Sequence, residues 1–254
     1  MVFIPDRGRL CVRAERGTPF PARPAANKSS RRTQYHRVKT SLRVHEIYLS
    51  VQGESTWAGV PCTFVRLTGC PLRCTYCDTE YAFTGGTRMT LQDVLARVSE
   101  LGCRVVEVTG GEPLAQRGCV PLLRALLDGG HTVLLETSGA VPINHVPLAV
   151  HKIVDMKCPS SGEMDRNHYP NLDLLAPHDE VKFVVGTRAD YEWARDLATD
   201  RDLPGRCRAV LFSCVFGQLE PRTLVEWMLA DRLFGARFQL QAHKFVWPPD
   251  ARGV

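Results

Sequence analysis

The sequence predicts an α/β fold built on a largely parallel sheet, and three observations carry that reading. Short, β-branched runs alternate with amphipathic helical patterns from residue 44 onward, and strands separated by helices return in parallel through right-handed crossovers. A chain of 254 residues with 44% hydrophobic content can bury one substantial core. The stretches richest in glycine and polar residues follow the carboxyl ends of the strand-like runs, where such sheets place their ligands.

The elements follow in order. "VHEIYL" (44–49) and "CTFVRLT" (62–68) are the first two strands, rich in β-branched and aromatic residues. "TLQDVLARVSEL" (90–101) opens a helix, because Thr90 can cap its first turn and Asp93 sits at the reciprocal capping position. The strand "RVVEVT" (104–109) leads into "TGGEP" (109–113), and the helix "CVPLLRALLDGG" (119–130) stops at Gly129. Strands "HTVLLET" (131–137), "KIVDM" (152–156) and "EVKFVV" (180–185) come next; "ETSG" and "KCPSSG" follow the first two. A helix "ADYEWARDLA" (189–198) precedes the strand "RAVLFSC" (208–214), which ends in "SCVFG". Pro221 opens the helix "PRTLVEWMLADRLFG" (221–235), and "RFQLQ" (237–241) is the last strand. There is no internal repeat, and no low-complexity tract after residue 43.

Composition narrows the function classes. The longest apolar runs are strand-length and the N-terminus lacks the apolar core of a secretory signal, so no membrane span and a cytoplasmic location are expected. Ten cysteines in a reducing compartment read as thiols, ligands or packing residues. Residues 1–43 hold eleven Lys/Arg against Asp6 and Glu15, a net +9, whereas the rest holds 21 basic and 25 acidic residues, a net −4. Residues 1–42 are therefore expected to be a basic, disordered extension with no catalytic role, and 43–254 the catalytic domain. An RNA-contacting arm or a transit peptide are the functional alternatives for that extension.

The densest chemistry lies in "GCPLRCTYCD" (69–78), which sets Cys70, Cys74 and Cys77 in a C-x3-C-x2-C loop. A structural zinc site is closed and four-coordinate, and no second pair exists here: Cys103, Cys119, Cys158, Cys207 and Cys214 are isolated in sequence. A 4Fe-4S cluster on three cysteines keeps one iron open for another ligand, and that reading is favoured over zinc.

With Tyr76 before the last cysteine and "GGEP" downstream, the loop is similar to that of the radical S-adenosylmethionine superfamily. The resemblance implies a partial (β/α) barrel in which S-adenosylmethionine chelates the open iron and is cleaved by one electron to a hydrogen-abstracting 5′-deoxyadenosyl radical. Gly110, Gly111 and Glu112 would then approach the methionine amino group. A narrower likeness comes from "EIYLSVQGE" (46–54), "FVRLTGC" (64–70), "CDTEY" (77–81), "VTGGEPL" (108–114), "DMKCPSSG" (155–162) and "LQAHKFVWPPDARGV" (240–254). Over roughly residues 43–254 these resemble the 7-carboxy-7-deazaguanine synthase family. That family contracts 6-carboxy-5,6,7,8-tetrahydropterin to 7-carboxy-7-deazaguanine, with loss of ammonia, on the route to queuosine in tRNA.

What this likeness implies can be written residue by residue. Val51, Gln52, Gly53 and Glu54 match the pterin-binding turn, although Ser55 stands where the family usually has glycine. Arg66 matches the residue that holds the substrate carboxylate, Thr109 touches substrate, and His243 with Lys244 faces the same carboxylate. Thr79 binds magnesium. Tyr76, Asp78, Lys157, Cys158, Pro159, Ser160 and the stretch Ser213, Cys214, Val215 and Phe216 match segments that line S-adenosylmethionine. A flavodoxin or ferredoxin would supply the electron, a homodimer is expected, and no direct nucleic-acid contact is. Two alternatives come from other classes. A glycyl-radical activating enzyme should lack the "VQGE" turn and the terminal "HKFVWPP", and a zinc-stabilised RNA-binding module would use the basic arm.

Overall fold

A computed structural model of the protein describes residues 40–254. Nine strands form one open sheet: β1 (Ser41–Val51), β2 (Pro61–Leu67), β3 (Thr87–Thr90), β4 (Val105–Gly110), β5 (Thr132–Thr137), β6 (His151–Met156), β7 (Glu180–Val185), β8 (Ala209–Cys214) and β9 (Arg237–Phe238). Their order is β3-β1-β2-β4-β5-β6-β7-β8-β9. From β2 to β9 every neighbouring pair is parallel, and β1 runs antiparallel to both β2 and β3. The helices are α1 (Leu91–Leu101), α2 (Cys119–Asp128), α3 (Arg188–Asp200), α4 (Leu203–Arg206), α5 (Pro221–Ala230) and α6 (His243–Val246).

Period-two alternation gives the sheet two unlike faces. Val106, Val108, Leu135, Val154, Val181 and Phe183 join one apolar cluster with Val94 and Val98 of α1, Leu122 and Leu126 of α2, Tyr191 of α3 and Leu224 of α5. The residues between them on the same strands are polar or charged: Glu107, Thr109, Glu136, Asp155 and Lys182. These turn toward the opposite side, where they line a cavity. At the amino ends of the strands Asp179, fully buried, accepts from the backbone N–H of Lys152 at 2.9 Å and of Ala176 at 2.7 Å, and pairs with the buried Lys152 ammonium at 2.8 Å.

Local chemistry accounts for the helix ends. Thr90 Oγ1 accepts from the Asp93 N–H while the Asp93 carboxylate accepts from the Thr90 N–H, the reciprocal cap that the sequence predicts. Gly102, with φ of 68°, closes the other end. The predicted helix 221–235 is shorter: it ends at Ala230 because Arg232 takes a left-handed φ of 52°, and Leu233 N–H reaches back to the Met228 carbonyl at 2.9 Å. Propensity gives no warning of an arginine in that conformation. The predicted strand 237–241 pairs only at Arg237–Phe238, and β3, unpredicted, forms because β1 offers it four consecutive partners.

The extension read as 1–42 lies outside the described residues except for its end, and there the boundary needs correction. Ser41 and Leu42 pair with Thr90 and Met89, and Leu42 is 1% exposed in the core.

Removing the reciprocal cap should cost stability alone. Thr90→Ala is expected to lose about 1 kcal/mol, which lowers Tm by about 2–4 °C for a chain of this size, with iron content unchanged; thermal unfolding followed by circular dichroism measures it.

Candidate functional site

The cavity sits at the carboxyl ends of the parallel strands and has a volume of about 790 Å³, room for two small ligands together. Its wall begins with the cysteine loop that leaves β2. Gly69 turns this loop with φ of 101°, and three anchors hold it: Thr75 N–H on the Ser161 carbonyl at 3.0 Å, Thr75 Oγ1 on the Ser160 carbonyl at 2.7 Å, and Arg73 N–H on Glu163 Oε1 at 2.6 Å. Tyr76 donates its hydroxyl to the Val184 carbonyl at 3.2 Å. Cys70, Cys74 and Cys77 are half-buried free thiols that line the cavity. Burial pushes Cys74 up to about 11 and raises the other two, while the Lys157 ammonium draws all three the opposite way.

This donor set fits a cluster. Three thiols that all feel the Lys157 ammonium suit an anionic iron-sulfur cube, whose separate corners each take one thiolate. Among the described residues no three His, Cys, Asp or Glu side chains converge on the point that a single ion needs. The Lys157 ammonium stays charged: burial would lower it, but Asp155, at 2.9 Å, outweighs that and raises it.

Beside the thiols the chain runs through Gly110 and Gly111. A Cβ on Gly110 would stand 2.5 Å from the Leu67 carbonyl oxygen, and one on Gly111 would collide with the Gly69 carbonyl, so the two strand ends can touch only through glycine. Both glycines line the cavity. Glu112, read from sequence as the partner of an ammonium, is different. It is fully buried behind the wall, accepting from Leu114 N–H at 2.8 Å, Thr137 Oγ1 at 2.9 Å, Ser138 N–H at 2.7 Å and Ser138 Oγ at 2.5 Å. Its carboxylate binds the ends of β4 and β5 together, and it has no surface left for a ligand.

The floor is the charged face of the sheet. Lys182 meets Glu54 at 2.8 Å, a closer Glu136, and Asp155 at 3.6 Å. Burial pushes the Glu54 carboxyl up, but the Lys182 ammonium outweighs it and holds Glu54 below the ordinary carboxylate range. Glu107 goes the other way: burial, then the neighbouring Glu136, push its carboxyl well up. Gln52 donates its amide to Glu107 and accepts the Glu54 N–H at 3.1 Å, so this side chain serves the floor as well as facing the cavity. Arg66 lines the cavity too, with its guanidinium already held by Glu46 at 2.7 Å and Tyr48 at 3.1 Å. Glu107, Glu136, Asp155 and Lys182 were not singled out from sequence. Their signal was present nonetheless: a charged residue flanked by apolar ones inside β4, β6 and β7, and Glu136 near the end of β5.

The turn before the floor holds a further departure. Ser55 adopts φ of 63°, the region that favours glycine. Its N–H donates to Gln239 Oε1 at 2.8 Å and its Oγ accepts the Trp57 N–H at 3.1 Å, which offsets a strain of about 1 kcal/mol.

The segment after β9 completes the cavity. Ala242 N–H donates to the Gly53 carbonyl at 2.8 Å, Gln241 Nε2 donates to Glu54 at 3.0 Å, and a Cβ on Gly53 would collide with the His243 ring. Burial lowers His243 against the pull of Glu54 and Asp78, so it is neutral at neutral pH. Lys244 pairs with Asp78 at 2.7 Å, and Asp78 Oδ1 accepts from Thr79 Oγ1 at 2.9 Å. Val51, Thr79, Thr109, Val215 and Phe216 also line the cavity. Cys158, Pro159, Ser160, Ser213 and Cys214 are not among the lining residues. Cys158 and Ser213 are buried behind the wall, and Ser160 gives its N–H and hydroxyl to Asp190 at 2.8 and 2.5 Å. Among these stretches it is Lys157, Val215 and Phe216 that reach the cavity.

Comparison with known proteins agrees with this geometry. The Radical SAM superfamily model matches residues 64–200. A 7-carboxy-7-deazaguanine synthase of Chlorobaculum tepidum is 50% identical over 84% of this chain and 97% of its own, and one of Koribacter versatilis is 46% identical over 84% and 100%. The crystal structure of QueE from Escherichia coli superposes with a TM-score of 0.61 at 24% identity, covering 80% of this chain and 95% of that one, a likeness of fold. A three-thiol loop, a double-glycine strand end and a charged sheet floor thus occur together in a chain that belongs to the 7-carboxy-7-deazaguanine synthase family of the Radical SAM superfamily.

Proposed function

We propose that this chain contracts the ring of 6-carboxy-5,6,7,8-tetrahydropterin to 7-carboxy-7-deazaguanine with release of ammonia, a step toward queuosine. The observation that carries the reading is a single cavity lined by both the three-thiol loop and the charged sheet floor. When bound at the three thiols, a 4Fe-4S cluster with S-adenosylmethionine supplies reductive hydrogen-abstraction chemistry. The chain's own part is to place and shield the reactants. Gly110 and Gly111 offer bare backbone to the methionine end of S-adenosylmethionine, with Lys157, Val215 and Phe216 on the neighbouring wall and Tyr76 and Asp78 on the loop. Arg66 and the neutral His243 take the pterin carboxylate, a guanidinium fork being matched to that group. Gln52, Glu54 and Thr109 take the heterocycle edge. The Thr79 hydroxyl would be a protein ligand of magnesium, which needs few protein atoms and takes oxygen donors from substrate and water.

An external flavodoxin or ferredoxin fits as electron donor, because Pro71, Arg73 and Thr75 expose the outer side of the cluster loop. The enzyme would act in the cytoplasm as a homodimer; among the described residues no helix is long and apolar enough to cross a membrane.

Three measurements test this. Cys74→Ala should lose its iron and sulfide while keeping the wild-type circular dichroism, and Cys158→Ser, Cys207→Ser and Cys214→Ser should each keep their iron; a brown, iron-replete Cys74→Ala protein would refute the cluster assignment. Anaerobic turnover of the pterin should rise with magnesium in the wild type, and Thr79→Ala should flatten that response at unchanged iron content. Equal turnover with magnesium and with chelator would remove the metal from Thr79. A chain starting at Lys39 should match full-length turnover and Tm, and a loss of about tenfold, or about 1.4 kcal/mol, would assign the basic arm a role.

A further inference from the structure

The charged floor supports one more assignment, which rests on the pterin reading above. Lys182 stands in the middle of β7 with 3% of its surface exposed. Its three N–H donors face three carboxylates that reach it from separate parts of the fold: Glu54 from the turn after β1, Glu136 from β5 and Asp155 from β6. Lys157 takes the nearer share of Asp155, at 2.9 Å against 3.6 Å. Lys182 is left chiefly with Glu54 and Glu136.

The surroundings make this cation hard to replace. Glu54 also accepts from Gln241 at 3.0 Å and Gln239 at 3.4 Å, and His243 is the other titratable group acting on it. Glu136 Oε2 accepts from Thr109 Oγ1 at 3.4 Å. Glu107, the remaining carboxyl on the floor, is held by Gln52. Two carboxylates that share one buried ammonium would repel each other without it.

We propose that Lys182 is a positioning residue of the pterin pocket. It fixes the spacing of Glu54 and Glu136, so that together they receive the N–H donors of a nitrogen heterocycle. Lys182 acts through these carboxylates and not on the reacting atoms.

The test uses anaerobically reconstituted enzyme, the tetrahydropterin substrate, and the variants Lys182→Met and Lys182→Arg. Lys152→Met is the control, since Lys152 forms an equally buried pair with Asp179 away from the cavity lining. Lys182→Met is expected to raise KM about tenfold or more with kcat within about threefold. It should also move the acid limb of kcat/KM to higher pH, because Glu54 loses the cation that holds its carboxyl down. Lys182→Arg keeps the charge, so its acid limb should stay and its KM rise by at most about threefold. Lys152→Met should lower Tm and leave KM and the acid limb in place. Wild-type KM and acid limb in Lys182→Met, or equal kinetic losses in Lys152→Met, would overturn the assignment. Should Lys182→Met not fold, Glu136→Gln and the double variant Glu136→Gln/Lys182→Met decide, because the charge conflict is already gone in that background. There the loss of Lys182 should change KM by less than about threefold, and a larger increase overturns the proposal. Absence of wild-type turnover would overturn the pterin reading and this inference with it, whereas wild-type turnover with an unaffected Lys182→Met overturns this inference alone.

Discussion

The two faces of the parallel sheet impose opposite demands on neighbouring residues of the same strand. On β4 the sequence Val106-Glu107-Val108-Thr109 sends every second side chain under α1 and α2 and the others into the cavity. The apolar face is stabilised by burial, about 1.5–3 kcal/mol for each large side chain removed from water. The other face has to hold Glu107, Glu136 and Asp155 away from bulk water, together with Glu54 from the turn, and this is feasible only with cations among them. Lys182 and Lys157 meet that need, and Gln52 donates its amide to Glu107, whose carboxyl burial pushes well up.

The cluster wall depends on the same sheet through a different constraint. β2 and β4 run side by side, and their carboxyl ends come close enough that Gly110 and Gly111 cannot carry side chains. That approach sets the cysteine loop beside the floor, so one cavity holds the redox group and the charged residues together. Glu112 secures the arrangement from behind by tying β4 to β5.

Much of this was legible in the sequence because loops advertise their chemistry through spacing. The cysteine triplet, the double glycine and the Thr90 cap all lie where their spacing indicates. Eight of the nine strands were also readable; β3 was not, since its four residues owe their form to β1. The residues that the structure places away from the cavity share a feature. Glu112, Cys158 and Ser213 belong to loops whose neighbours line the cavity, yet adjacency in sequence does not decide which way a side chain faces, and these three turn inward. The floor charges were missed for the converse reason. A lysine inside "EVKFVV" looks like a strand-edge residue until the register pairs Asp155 with Lys182 and shows both on one face.

The segment from Gln239 to Lys244 joins the turn at Gly53 and Glu54 to the cluster loop at Asp78. Glu54 and Gln241 are 187 residues apart in sequence, and contacts of such separation close against a large loop entropy. The cavity is closed on this side by a segment that follows every strand of the sheet. The sheet and the site therefore draw on different parts of the chain: a protein ending before residue 239 would keep all nine strands of the described sheet and lack the contacts that join Gly53 and Glu54 to Asp78.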